Sequence, residues 1–392
     1  MKWEKVKLGE LYEVHNGLSK AGKFFGEGYP FLTFSTVFNN YFIPKQITDL
    51  VQSTEKEQES YSIRRGDVFV TRTSETSDEL GMSCVALKDY PMATYNGFTK
   101  RMRPITNRVF PEYIGYYMRL PSFRGEFRAF STMTTRASLR NEDLLGLEVK
   151  LPSIEIQKQI AGILSTYDDL IENNQKQIKL LEEAAQRLYK EWFVDLHFPG
   201  HENTKIVDGV PEGWKKERLV DIAEIQYGYA FDGTLFNADK NGTPIIRIRN
   251  IPQAETMDYT TEHVSENYLV QNGEIIVGMD GEFHINAWAG NTAYLVQRVC
   301  CIRPKNTEIK GWLLQAIYEP IKFFERTVVG ATVAHLGKKH LDSIYLLTSP
   351  EGFYKPFMIL FDKRLLLENQ NRKLREARDR LLPKLMSGEV EV

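Results

Sequence analysis

The sequence predicts an α+β chain built twice: two tandem domains, each followed by a long helix, with the two helices forming an antiparallel coiled coil. Three observations carry this expectation. A motif at residues 3–17 recurs 211 positions later, a second motif recurs at an offset of 197, and each copy runs into a long stretch of heptad-spaced apolar residues. A repeat period near 200 is far longer than any solenoid unit, so the duplicated object is a domain.

The first repeat is WEKVKLGELYEVHNG (3–17) against WKKERLVDIAEIQYG (214–228), pairing Trp3 with Trp214, Leu8 with Leu219, Leu11 with Ile222 and Gly17 with Gly228. The second is RASLRNEDLLGLEV (136–149) against VAHLGKKHLDSIYL (333–346), pairing Leu139 with Leu336, Leu144 with Leu341 and Leu147 with Ile344. Between them, Arg65-Gly66-Asp67-Val68-Phe69-Val70 resembles Asn272-Gly273-Glu274-Ile275-Ile276-Val277, and Arg103-Pro104 resembles Arg303-Pro304. An offset that falls from 211 to 197 is what shorter loops in the second copy produce while element ends are kept.

Within each copy, short β-rich runs come first, at 29–34, 67–71 and 82–87, then at 244–248, 274–278 and 292–296. Gly, Asn and Asp separate them. A helical stretch follows in each, at 111–119 and 312–324, and strands before helices fit α+β rather than alternating α/β.

The helix after the first domain opens at Pro152 and Ser153, with Ser153 placed to cap it. Its seam runs Ile160, Leu164, Tyr167, Ile171, Asn174, Ile178, Leu181, Ala185, Leu188, Trp192, widened by Ile163, Leu170 and Ala184. From 154 to 192 such a helix is about 58 Å long at 1.5 Å per residue, more than one small domain needs as a cover. The C-terminal helix repeats the pattern with Phe357, Leu360, Arg364, Leu367, Asn371, Leu374, Arg378, Leu381 and Leu385, with Pro356 in its first turn and Pro383 expected to fray its end. Asn174 and Asn371 match at offset 197, the arrangement of a polar register pin in an apolar seam. The expected organisation is domain 1–152, helix 153–195, domain 196–348 and helix 349–392. Antiparallel packing would then hold the two domains at opposite ends of a rod.

Composition narrows function. Net charge is −2, which argues against non-specific coating of nucleic acid but leaves room for local basic patches. Three cysteines form no disulfide framework, and the opening MKWEKVKLGE lacks a signal-peptide core, so a cytoplasmic location is expected. No phosphate loop, dinucleotide fingerprint, amino-methyltransferase or nuclease signature is present, and none of the seven histidines has metal-ligand spacing. The chain is expected to be non-catalytic, with no metal and no cofactor of its own.

What remains are clusters of basic and hydroxyl residues suited to DNA, where Arg grips guanine, Asn grips adenine, and Lys and hydroxyls hold phosphates. The candidates in the first domain are Arg72, then Lys100, Arg101 and Arg103, then Thr134, Thr135, Arg136 and Arg140. In the second they are Arg247, Arg249 and Asn250, then Thr332, His335, Lys338 and Lys339. All are read as loop residues.

The helical segments also resemble a known family. Leu151-Pro152, Gln159-Ile160-Ala161-Gly162-Ile163-Leu164 and Trp192-Phe193-Val194-Asp195 are similar to the central conserved region of type I restriction-modification specificity subunits. Val210-Pro211-Glu212-Gly213-Trp214 resembles the usual lead-in to the second target-recognition domain, and 380–389 resembles the usual ending. One departure is 349–354, which lacks the Leu-Pro and Gln-rich start of the first helix. The resemblance implies that each domain reads one half of a bipartite double-stranded DNA target and that the helices set the gap. It also implies two modification subunits carrying S-adenosylmethionine and adenine methyl transfer, and restriction subunits carrying ATP- and Mg-dependent cleavage. The alternatives are a specificity subunit of a related phage-exclusion system and a coiled-coil scaffold without a DNA role.

Overall fold

The computed structural model describes residues 3–74, 80–129, 137–327 and 334–392. It divides into two compact units, Met1–Asp169 with Glu376–Val392, and Leu170–Arg375.

In the first unit, strand Glu4–Lys7 pairs antiparallel with Glu148–Leu151, tying the start of the domain to its end. A four-stranded antiparallel sheet follows in the order Tyr12–Asn16, Thr99–Pro104, Val68–Thr71, Ser83–Val85. A smaller sheet contains a parallel pair, Phe31 opposite Thr94 and Leu32 opposite Tyr95. Alternate residues of the strand from Val68 point to opposite faces. Val68 and Val70 enter the main core with Leu8, Tyr113 and Phe127, while Phe69 enters a second core with Leu32 and Tyr95. Both faces are therefore buried, which is why this segment reads as a continuous apolar run.

The second unit repeats this frame, with five strands rather than three in its smaller sheet. Lys215–Arg218 pairs with Tyr345–Thr348, and the four-stranded sheet runs Ala223–Tyr227, Val299–Pro304, Ile275–Gly278, Ile285–Ala287. Its parallel pair sets Ile245 opposite Tyr294 and Ile246 opposite Leu295. Cys300 and Cys301 lie on opposite faces of one strand, each in a different core. All three thiols are buried, and burial pushes the Cys84 and Cys300 pKa values up to about 12. The helical stretch expected at 312–324 is two helices, Lys310–Ala316 and Tyr318–Thr327, with Pro320 in the first turn of the second.

Gly17 and Gly228 mark the same junction in both copies. The Gly17 amide donates to Thr99 and the Gly228 amide to Val299, at 3.2 and 3.0 Å. A Cβ at Gly17 would stand 2.0 Å from the Asn96 carbonyl oxygen, and one at Gly228 would stand 2.1 Å from that of Val296. The glycines recur because no side chain fits where two backbones touch.

The central helix spans Ile154–Tyr189 and the C-terminal helix Lys355–Ser387. Within the first unit, Ile160, Ala161 and Leu164 share a core cluster with Leu382, Leu385 and Met386, and Asp168 forms an ion pair with Arg378. Within the second, the Asn174 amide donates to Asn371 at 2.9 Å, Glu182 lies 2.9 Å from Arg364, and the Trp192 and Phe357 rings meet edge to face. Numbers rise along one helix as they fall along the other, so the pairing is antiparallel. None of the residues Ile160, Leu164, Tyr167, Ile171, Asn174, Ile178, Leu181, Leu188, Trp192, Phe357, Leu360, Leu367, Asn371, Leu374, Leu381 and Leu385 is exposed.

Two expectations about the helices are corrected. Ile163, Leu170 and Ala184 are exposed, so the buried stripe is narrower than the sequence suggested. The helix also does not fray at Pro383. It continues to Ser387, because Leu385 and Met386 are buried in the first core and hold the last turn against the one hydrogen bond that proline removes. The central helix closes in a π-turn, Lys190–Val194, which swings Phe193 against Trp214 and Trp312.

The glycine junction gives a direct test. Gly17→Ala and Gly228→Ala should each destabilise their own unit by about 1–3 kcal/mol through forced backbone separation. Gly22→Ala, where a Cβ meets nothing within 4 Å, should change stability by less than about 0.5 kcal/mol. Urea unfolding midpoints of the three variants would check this.

Candidate nucleic-acid interface

One end of each four-stranded sheet collects part of the candidate set. In the first domain the strand from Tyr12 ends there at Asn16, the strand from Val68 ends just before Arg72, and the strand Thr99–Pro104 begins. Arg72 is fixed by its backbone: its amide donates to Phe98 at 3.0 Å, and its carbonyl accepts from Leu139 at 2.9 Å. Its side chain donates to Asn16 Oδ1 at 3.4 Å, and its Nε is buried without a partner. Lys100, 5 % exposed, donates to Asn141 Oδ1. Burial, and secondly the Arg72 charge, push the Lys100 pKa down. Arg140 is exposed and pairs with Asp143 at 2.9 Å.

The second domain keeps the backbone and changes the chemistry. Met279 stands where Arg72 does, its amide donating to Arg298 at 2.8 Å and its carbonyl accepting from Leu336 at 2.7 Å. Cys300 stands where Lys100 does, since Cys300 pairs with Val277 and Tyr227 as Lys100 pairs with Val70 and Asn16. Other polar side chains gather here. Asp280 binds both Arg298 and His335 at 2.5 Å, and Lys338 and Lys339 are exposed at the start of a short helix, Lys338–Asp342.

Arg72, Lys100 and Arg140 are thus brought to one sheet end, and His335, Lys338 and Lys339 to the corresponding end of the second domain. Thr134, Thr135, Arg136 and Thr332 lie outside the described residues. Arg247, Arg249 and Asn250 sit on a different turn: Arg247 stacks over Phe236 at 5.6 Å, Arg249 pairs with Asp258 at 3.1 Å, and Asn250 Oδ1 accepts the Arg247 amide at 2.8 Å.

The loop assignment of Lys100, Arg101 and Arg103 is corrected. All three belong to the strand Thr99–Pro104, and Arg101 and Arg103 face the interior. Arg101, 4 % exposed, donates to the Ser62 carbonyl at 2.8 Å and lies over Tyr95, and burial lowers its pKa. Arg103 grips the fully buried Asp67 through Nε and Nη2 at 2.8 and 2.7 Å and reaches the Ser62 carbonyl at 2.9 Å. The second copy builds the same knot. Arg303 Nε meets Glu274 at 2.6 Å, Nη2 reaches the Leu269 carbonyl at 2.8 Å, and the Gln271 amide donates to Glu274 at 2.8 Å as the Arg64 amide does to Asp67 at 2.7 Å. Arg103-Pro104 recurs as Arg303-Pro304 because this knot supports the sheet.

Asn16, Phe98, Asn141, Asp280 and Arg298 are neighbours of the site that composition did not single out. The signal available for Asn16 was its place beside the repeated glycine. Phe98 is 57 % exposed, an apolar ring at the rim of a polar cluster. Among the described residues no group of three or more His, Cys, Asp and Glu is arranged to hold a metal ion, and no helix is long and apolar enough to cross a membrane.

A family model described as the type I restriction modification DNA specificity domain matches residues 1–183 and 211–349. The chain is similar over its whole length to the MjaIX type I restriction enzyme specificity subunit of Methanocaldococcus jannaschii, with 26 % identity and 94 % of that protein covered. It is 31 % identical to the EcoBI specificity subunit of Escherichia coli over 142 residues, 36 % of this chain and 30 % of the other. The crystal structure of the S subunit of a type I restriction-modification system from M. genitalium shares the fold. It aligns with 98 % of this chain and 96 % of its own at a TM-score of 0.58, with 15 % identity.

Breaking the buried knot should damage the fold rather than the reading surface. Arg103→Met leaves Asp67 buried without its cation and should cost about 3–5 kcal/mol. Hydrogen exchange should accelerate in the strands Val68–Thr71 and Thr99–Pro104, and Arg303→Met should do the same for Ile275–Gly278 and Val299–Pro304.

Proposed function

The chain belongs to the type I restriction-modification specificity-subunit family, whose part is DNA sequence recognition, and on that premise we propose that it reads a bipartite double-stranded target with one domain per half. The observation that carries this reading is the duplicated sheet end. The same backbone frame occurs twice, with Arg72, Lys100, Asn16 and Asn141 on one copy and Met279, Cys300, Tyr227 and Lys338 on the other. Equal frames with unequal side chains suit two half-sites of unrelated sequence.

The paired helices set the gap between halves in this reading, because a fixed spacer converts two weak contacts into one geometric specificity. They also dock two modification subunits. Those subunits hold S-adenosylmethionine and transfer methyl groups to adenine, and restriction subunits joined to the complex hold ATP and Mg and cleave DNA. This chain contributes recognition and placement, not a reacting group. Thr134, Thr135, Arg136 and Thr332 remain DNA-contact candidates, as do Arg140, His335, Lys338 and Lys339. Arg101, Arg103, Arg247, Arg249 and Asn250 act instead through the folds they brace.

Mapping methylated bases by long-read sequencing in cells carrying the complex should reveal two half-sites separated by a constant unread gap. Adding a heptad after Gln175 and a matching heptad after Asn369 should lengthen that gap and leave both half-site sequences unchanged. Altered half-site letters, or an unaltered gap, would sink the spacer role.

A further inference from the structure

The pair Arg72 and Lys100 is electrostatically unusual. Two cations lie near one another at the sheet end, close enough for the Arg72 charge to disfavour that of Lys100. Among the described residues neither forms an ion pair with a carboxylate, and Asp143, whose charge acts on Lys100, has both oxygens on Arg140 at 2.9 and 3.3 Å. Their side-chain partners among the described residues are the amide oxygens of Asn16 and Asn141, which orient a cation without neutralising it. The Arg72 Nε is left buried and unbonded. Among the described residues this pair, Lys100 buried and Arg72 half-buried, has no counter-charge, and such a pair costs stability unless an anion completes it.

The second domain shows that the fold does not require these cations. The same backbone hydrogen bonds hold Met279 and Cys300 in their places. The cations at 72 and 100 are therefore an addition to the frame, and the chemistry they lack is a compact, doubly accepting anion. Arg and Lys together recognise such an anion through directed N–H groups and a point charge.

We propose that Arg72 and Lys100, framed by Asn16 and Asn141, seat one backbone phosphate of DNA, and that the first domain has this seat while the second holds Met279 and Cys300 there. The inference rests on the DNA-reading role argued above. It assigns these residues to anchoring rather than to base recognition. A phosphate contact fixes register on the duplex and is indifferent to sequence.

Binding of the assembled complex to its mapped target, measured against salt concentration, tests the seat. Arg72→Met and Lys100→Met should each weaken binding, reduce the slope of log K against log salt by about one, and leave the methylated sequence unaltered. An unchanged slope, or a changed letter in the first half-site, overturns the proposal. Absence of sequence-specific binding by the unsubstituted complex would instead overturn the DNA-reading role itself. A second measurement needs no DNA. Inorganic phosphate, compared with chloride at equal ionic strength, should raise the thermal midpoint of the full chain more than that of Arg72→Met. An equal rise in both overturns the seat. Should Lys100→Met fold poorly, Arg72→Met alone carries both measurements, since the second domain already accommodates Met at that place.

Discussion

The pairing of two long helices rests on polar groups set into an apolar seam. Asn174 and Asn371 satisfy each other at 2.9 Å in a buried position, and any slip by a turn would leave two amides unbonded in a dry interface. Arg364 and Arg378 stand seven residues to either side of Asn371, each meeting an acid of the central helix, Glu182 and Asp168. Apolar residues supply the attraction, but they would tolerate several registers. The polar residues select one. They also select the partner: the C-terminal helix paired antiparallel with a copy of itself about Asn371 would set Arg364 against Arg378.

The two domains show what a fold needs as opposed to what it displays. The glycine at the strand junction, the parallel strand pair, and the arginine–acid knot under the sheet occur in both copies. The side chains at the sheet end do not. A duplicated chain carries its own comparison: features present twice bear on stability, and features present once bear on what each domain meets.

Much of this is legible in the amino-acid sequence alone. Offsets of 211 and 197 locate the frame, and heptad spacing locates the two long helices and the Asn174–Asn371 pair, while Leu382 and Met386, which also pack against the central helix, stand outside the spacing. The misreadings have physical causes. Lys100, Arg101 and Arg103 look like a loop because charged residues are rare in buried strands, and only tertiary partners, the Ser62 carbonyl and Asp67, make the burial tolerable. Pro383 looks like a helix end because a sequence window does not show that Leu385 and Met386 have a core to enter. Ile163 and Leu170 look like seam residues because apolarity alone does not distinguish a buried stripe from its flank.

The buried thiols have a practical side. Cys84, Cys300 and Cys301 are enclosed and held protonated at ordinary pH, so maleimide dyes should pass them by. The chain is in effect a blank for site-specific labelling. A cysteine placed at an exposed position such as Leu180 or Ile206 would be the one reactive thiol. A pair of them would turn the protein into its own fluorescence gauge, able to follow assembly one molecule at a time.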